Sequence, residues 1–547
     1  MIQKLKLVFH TVKYLKFSQI FNRVKRKYIK LSIDISPTPN VSIVAKKPQP
    51  VVQCQPRMLS ENRFEFLNSI ADVQISEDWN SPNQDKLWLY NLHYFDDLNA
   101  TEASQRVSWH TNLIERWINE NPPGYGNGWD AYPSSLRIVN WIKWSLIGNS
   151  FEKKWLDSLV TQVRYLSNNL EAHLLGNHLF VNAKALVFAG LFFRGKDADN
   201  WYQIGRNIIE REVLEQVLAD GGNFELSPMY HSILLEDLLD LVNIHRTYNK
   251  EVISGVKDKI LPMFDWLKSM CHPDGGVSFF NDTAFGVAPS LNELLDYAER
   301  LSINKISEKV KTLFYMQDSG YVRVEREDLV AILDVAAIGP DYIPSHGHAD
   351  VLSFELSLFG KRVIVNSGTS IYGTSSERYN QRSTLSHSTV VIDEQNSSEV
   401  WGGFRVARRA NVLNVKTKQS DNDIKVSACH DGYKRLKGKP IHNREWSFSK
   451  NAIIIKDKIT GKGMHRISSI LPLHPEVVII NTQENYVELE VKGKLVKIVF
   501  EGSGKLQVVS SQYHPEFGLS INNEKLIYSY SGSLPLIGIT KIIWQNY

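Results

Sequence analysis

A chain of 547 residues, 43% hydrophobic and 22% charged, is long enough for two or three domains with a large core and has an ordinary globular composition. Its formal charge of +4 is small for that length, which points away from a nucleic-acid binder and from an extreme acidic protein. Cys54, Cys271 and Cys429 lie far apart with no CxxC pair, so neither a disulfide framework nor a cysteine zinc site is indicated. Thirteen Trp and 22 Tyr supply the polar-edged aromatic faces that carbohydrate clefts use, although the same rings are ordinary core material.

The chain opens Met1-Ile2-Gln3-Lys4-Leu5-Lys6, and Lys and Arg recur through Lys30 with no long uncharged run or small-residue cleavage site. This argues against a signal peptide or a spanning helix, so the expected location is cytoplasmic or membrane-peripheral, with the periplasm left open. Leu5, Val8, Phe9, Val12, Leu15 and Phe21 share one helical face, with Lys13, Lys16, Arg23, Lys25, Arg26 and Lys27 elsewhere. Such a basic amphipathic helix either packs on its own domain or rests on anionic lipid, and both readings stay open. Proline-punctuated residues 33–58 read as an extended connector, which sets residues 1–85 apart as a basic helix and linker. The aromatic run Leu87 to Asp97 then reads as core.

Apolar residues at three and four spacing, as in Leu136, Val139, Ile142 and Leu146, predict a helical domain over residues 86–315. Its loops hold the unusual residues: Trp129 and Tyr132, then Gly176-Asn177-His178, then Glu225 to His231, and Asn281-Asp282-Thr283. Beyond Gly320 the pattern becomes β-branched alternation punctuated by Gly, Asn and Asp, which predicts an antiparallel β-sandwich over 316–547. Helices followed by strands mean two packed domains of the α+β class, with a ligand cleft expected between them.

Ser345-His346-Gly347-His348-Ala349-Asp350 is the most informative stretch. Histidines at i and i+2 put two imidazoles on one side of an extended segment, and His387 in Ser386-His387-Ser388-Thr389 could complete a three-ligand site. Sheet histidines held by ordinary hydrogen bonds are the competing reading. Asn177, His178, Tyr230 and His346 are the types needed to remove a proton next to a carboxylate and expel an oxygen. Amide and imidazolium steady the growing enolate, while His or Tyr moves protons. Glu225, Asp130 and Asp282 keep a two-carboxylate hydrolysis open.

Taken in order, Gly176-Asn177-His178, Glu225 to His231, Ser345 to Asp350 and Ser383 to Val391 resemble the heparinase II/III and alginate lyase superfamily of polysaccharide lyases. The resemblance runs from about Trp88 to the C-terminus and implies an incomplete (α/α) toroid followed by antiparallel β-sandwich layers. It further implies that Asn177 and His178 neutralise a uronate carboxylate, with His178 a second candidate base, that Tyr230 is the main acid/base, and that His346 assists from the β-domain. Trp129, Tyr132, Glu225, His231, Tyr372, Tyr379 and Arg382 are the candidate sugar contacts. In relatives with a structural Zn2+, His348 and His387 match its ligands, and an aspartate stands where this chain has Asn366. The expected activity is β-elimination on an acidic, uronate-containing polysaccharide or oligosaccharide, linked to bacterial capsule or surface-polysaccharide metabolism. A glycoside hydrolase and a non-catalytic glycan-binding or assembly protein are the alternatives.

Overall fold

The structure, a computed structural model, describes residues 2–28, 31–303 and 311–544; Lys30 lies outside them. The N-terminal unit departs from the expected single helix. Two helices form, α1 (Ile2–Val12) and α2 (Phe17–Tyr28). The connector ends in a three-stranded antiparallel sheet of Met58–Ser60, Arg63–Phe66 and Ser69–Asp72. The alternation Arg63-Phe64-Glu65-Phe66 accounts for the sheet: both Phe are buried, and Phe66 meets Trp88 edge-on at 5.3 Å. Backbone N–H groups of Arg57 and Met58 donate to Asp97 Oδ1, tying the connector to the helical domain.

That domain contains α3 (Lys86–Leu92), α4 (Val107–Glu120), α5 (Ala131–Leu146), α6 (Lys153–Asn168), α7 (Gly176–Phe192), α8 (Lys196–Gln216), α9 (Pro228–Thr247), α10 (Val256–Ser269) and α11 (Leu291–Arg300). Its helices form the expected incomplete toroid. α7 is apolar nearly all round and packs against α5, α8 and α9 at once, as an inner helix must. Outer helices such as α6 keep one polar face. The inner helices α5, α7 and α9 run parallel, since about two to three turns along each one Lys143, Lys184 and Asp240 meet in one buried ion cluster, at 2.6 Å and 2.5 Å. Among the described residues no helix is long and apolar enough to cross a membrane.

The C-terminal half is a layered antiparallel β-sandwich. An eight-stranded sheet runs, in spatial order, through Val412–Gln419, Ile424–His430, Ile441–Phe448, Ala452–Thr460, Leu536–Trp544, Lys494–Glu501, Tyr486–Val491 and Val478–Thr482. Opposite it lie a five-stranded sheet from Leu313–Met316 to Lys361–Ile364 and a four-stranded sheet centred on Met464–Pro472 and Ile521–Ser533, joined by the Ile364–Leu473 bridge. Leu356, Trp446, Ile455, Leu526 and Trp544 share one core between these layers. Two long excursions leave the five-stranded sheet, residues 335–353 and 365–389. They reach the helical domain and carry His346, His348, Tyr372 and His387.

Candidate active site

The three inner helices begin at one place. Tyr132 lies in the first turn of α5, Asn177 and His178 in that of α7, and Tyr230 in that of α9. Ser227 caps α9 by accepting from Tyr230 N, and Pro228 at the first helical position presets the turn. Each helix start carries the positive end of its dipole, so their convergence favours an anion. Asn177 Nδ2 donates to Tyr132 Oη at 3.1 Å, and the Tyr132 and His178 rings lie 4.7 Å apart. Asn177 N donates to Glu225 Oε1 at 3.2 Å. Gly176, at φ +55°, permits this approach, because a Cβ there would stand 2.8 Å from that same oxygen.

His178 Nδ1 donates to Glu171 Oε2 at 3.1 Å. Burial works against its charge, but the Glu171 carboxylate outweighs burial and raises the imidazole's pKa. His178 therefore favours the cation while its side chain remains 38% exposed toward solvent.

His346 enters from the β-domain. Its ring packs against Tyr230 with centroids 4.0 Å apart and planes tilted by 34°, and Tyr230 Oη pairs with Tyr372 Oη at 2.9 Å. Burial, then the neighbouring Tyr372, pushes the Tyr230 phenol well above its ordinary value, so it rests neutral. His346 Nδ1 donates to Asp282 Oδ2 at 2.9 Å, which turns Nε2 toward Glu225 Oε2, 3.5 Å away.

Asp282 is the hub that sequence reading weighed only as a hydrolytic carboxylate. Arg378 grips both its oxygens, His348 Nε2 donates to Oδ1 at 2.9 Å, and Thr369 adds a longer bond at 3.4 Å. Burial alone would raise its carboxyl; the Arg378 charge and the two imidazoles hold it well below the usual carboxylate range. The adjoining backbone completes the joint: Asp282 N donates to His346 O, His348 N to Asn281 Oδ1, and Ser227 Oγ to Asp282 O at 2.6 Å. No local pattern could reveal this, since Arg378 lies 96 residues away in sequence.

Several expected sugar contacts need correction. His231 is fully buried, stacked on Trp266 at 4.4 Å, with Nε2 on Met263 O and Nδ1 accepting from Asn223 N. Its place on α9 turns it inward, one residue beyond Tyr230. Arg382 is likewise enclosed and donates to Gly347 O and Gly403 O, so its guanidinium is committed to holding the His346–His348 turn. Trp129 is packed between Trp117 and Tyr165 and lines the cavity beside the cluster, as a sugar contact there would. Tyr379 is half-exposed, accepts from Asn396 Nδ2 and lines a second cavity with Arg382 and Trp401. Tyr132, Glu225 and Tyr372 do reach that cluster. Beside it, a cavity of about 630 Å3 is walled by Asn22, Lys25 and Arg26 of α2 and by Tyr165 and His173 of the toroid.

The expected metal ligands come together only in part. The His348 and His387 rings lie 5.3 Å apart, and His348 Nδ1, both His387 nitrogens and Asn366 Nδ2 are buried without partners. Asn366 Oδ1 accepts from Ser388 N, beside His387. Among the described residues, however, no group of three His, Cys, Asp or Glu could hold a metal. Asp350, the other candidate donor, accepts from Asn281 N instead, and burial pushes its carboxyl up to about 6. Two imidazoles and a neutral amide fall short of the donor set of structural zinc, so the residues present do not fit that ion.

Comparison with known proteins agrees with this architecture. The heparinase II/III N-terminus family matches residues 78–304 and the heparinase II/III-like C-terminal family residues 308–545. A heparin-sulfate lyase of Pedobacter heparinus is 26% identical over 318 residues, 51% of this chain and 47% of the relative. One of Bacteroides stercoris is 25% identical over 337 residues, 57% and 47%. The chain thus spans about half the length of the curated relatives it matches. Among solved structures, a heparinase III superposes with a TM-score of 0.71 at 19% identity over 88% of this chain and 80% of that one. A chondroitin AC lyase of Streptomyces coelicolor gives 0.52 at 11%, over 85% and 76%. These likenesses establish the shared toroid-and-sandwich fold. With both family patterns in sequence and together covering most of its length, the chain belongs to the heparinase II/III family.

Proposed function

We propose that this protein is a polysaccharide lyase that opens an acidic, uronate-containing glycan by β-elimination. The observation that carries the reading is the neutral Tyr230 in ring contact with His346 where three helix N-termini converge. A uronate carboxylate placed there meets the helix ends, the Asn177 amide and the His178 imidazolium, which favour the enolate-like charge that builds as the adjacent proton leaves. His346 Nε2 takes the C5 proton. The C5–H electron pair forms the C4–C5 double bond, the C4–oxygen bond breaks, and Tyr230 donates its phenolic proton to the departing oxygen. Tyr372 returns a hydrogen bond to the phenolate, and Asp282 steadies the charged imidazole through Nδ1.

Two-carboxylate hydrolysis through Asp282 fits poorly, because both its oxygens are engaged by Arg378 and the histidines. The curated relatives named as heparin-sulfate lyases support an acidic glycosaminoglycan-like substrate. Lys25 and Arg26 in the adjoining cavity are suited to the next carboxylate or sulfate along the polymer. The test is a panel of uronate polysaccharides read by the ultraviolet absorbance of the unsaturated product. Tyr230→Phe should lose about 10²–10⁴-fold in kcat while still binding polymer. A wild-type protein that binds a panel member and releases no unsaturated sugar would make this a binding protein on a lyase fold.

A further inference from the structure

The two N-terminal helices lie outside both family matches and supply none of the groups that move protons in the proposed elimination. An amphipathic helix on a globular protein normally turns its apolar stripe to the core. α2 does the reverse. Its one well-buried side chain is Gln19, whose Nε2 donates to Tyr342 O. Lys16, just before it, pairs with Glu215 and lies over the Tyr342 ring, and Arg26 Nη1 meets His173 Nε2 at 3.1 Å. The polar edge thus faces the protein, and the stripe Phe17, Ile20, Phe21, Val24 and Tyr28 faces solvent, from 41% exposed at Ile20 to 80% at Phe17. Phe17 and Phe21 stack on each other at 6.4 Å.

α1 likewise leaves its apolar side open to solvent. Thr11 Oγ1 donates to Leu7 O at 2.8 Å and accepts from Trp401 Nε1 at 3.1 Å, which ties α1 to the β-domain, yet Leu5, Val8, Phe9 and Val12, at i, i+3, i+4 and i+7, remain 39–66% exposed. Two successive helices therefore carry nine outward apolar side chains. Leaving so much apolar surface in water is unfavourable, which marks the face for an occupant. Charge says which. The first 33 residues contain nine Lys and Arg and no Asp or Glu, and Lys4, Lys6, Lys25 and Lys27 are exposed on these helices.

From this geometry we infer that the α1–α2 face is a membrane-docking surface for anionic lipid: the aromatic and aliphatic stripe enters the headgroup boundary and the lysines meet lipid phosphates. An apolar stripe ringed by cations is the pattern of helices that lie in the interface plane, and surface potential and apolar burial there act together. Docking would hold the cavity wall formed by Lys25 and Arg26 next to the lipid surface.

The test is co-sedimentation of the full chain with phosphatidylcholine vesicles, with and without phosphatidylglycerol. Binding is expected only with phosphatidylglycerol and should weaken as salt is raised. Phe17→Ser/Phe21→Ser should lower partitioning by about tenfold or more. Because both rings are largely exposed, its unfolding midpoint should stay unchanged. Lys4→Gln/Lys6→Gln/Lys27→Gln should abolish the dependence on phosphatidylglycerol. Failure of the wild type to sediment with either vesicle overturns the inference. So does a wild-type dimer that becomes monomeric in Phe17→Ser/Phe21→Ser, which would assign the face to a second copy of the chain.

Discussion

Asp282→Asn isolates what the hub does. The amide has nearly the shape of the carboxylate but carries no charge and presents an N–H pair where an acceptor stood. Arg378, 1% exposed, would keep its full charge without a counter-ion, and removing one partner of such a buried pair costs about 3–5 kcal/mol. The amide also cannot accept from Arg378, His346 Nδ1 and His348 Nε2 together, so the tautomer that leaves His346 Nε2 open is no longer enforced. If His346 is the base, kcat should fall by the general-base contribution, about 10²–10⁴-fold, with a shifted pH profile. Asp240→Asn is the control, since it breaks the buried Lys143 and Lys184 pairs deep in the toroid and should lower stability with little effect on kcat. Thermal unfolding and release of unsaturated product are measured on both variants. Equal kcat losses, or an Asp282→Asn enzyme that is destabilised yet turns over normally, would refute the positioning role and leave Asp282 as a structural joint.

Two further outcomes follow from the same geometry. The His178 pKa is raised above its ordinary 6.5, so its pairing with Glu171 contributes stability that is fully present below 6.5 and is lost as pH rises through the folded-state value. KM for polymer should rise over that same interval as the cation disappears, and His178→Gln should flatten the rise; an unchanged profile in the variant would remove His178 from carboxylate binding. Asn366→Asp should supply the donor that the His348–His387 pair lacks: zinc measured by elemental analysis should approach one per chain, with unfolding shifted upward by zinc and downward by chelator. No gain in zinc would mean that the two imidazoles do not converge on one ion.

Much of this protein was legible in its sequence because the relevant signals are local. The change from 3.6-residue to two-residue periodicity near Gly320 fixed a helical domain followed by a β-domain. Asn177-His178, Tyr230 and His346-Gly347-His348 stand out only jointly, through the order of their motifs and its resemblance to a known family, since each residue alone reads equally well as a cap, a core ring or a sheet histidine. Only the tertiary structure decided which of them meet. Tyr132, Asn177 and Tyr230 share a site because α5, α7 and α9 start at one level, a matter of helix packing that no short window contains. Asp282 became the hub through partners 64, 66 and 96 residues away. His231 and Arg382 have the right chemistry for sugar, but the turn of α9 and the fold of the 365–389 excursion enclose them. At α2 the sequence determined an amphipathic helix, and its docking partners decided which side faces out. Periodicity gives the angle between the two faces of a helix, while their direction depends on what the polar edge can bind, here Tyr342 and His173 on two different domains.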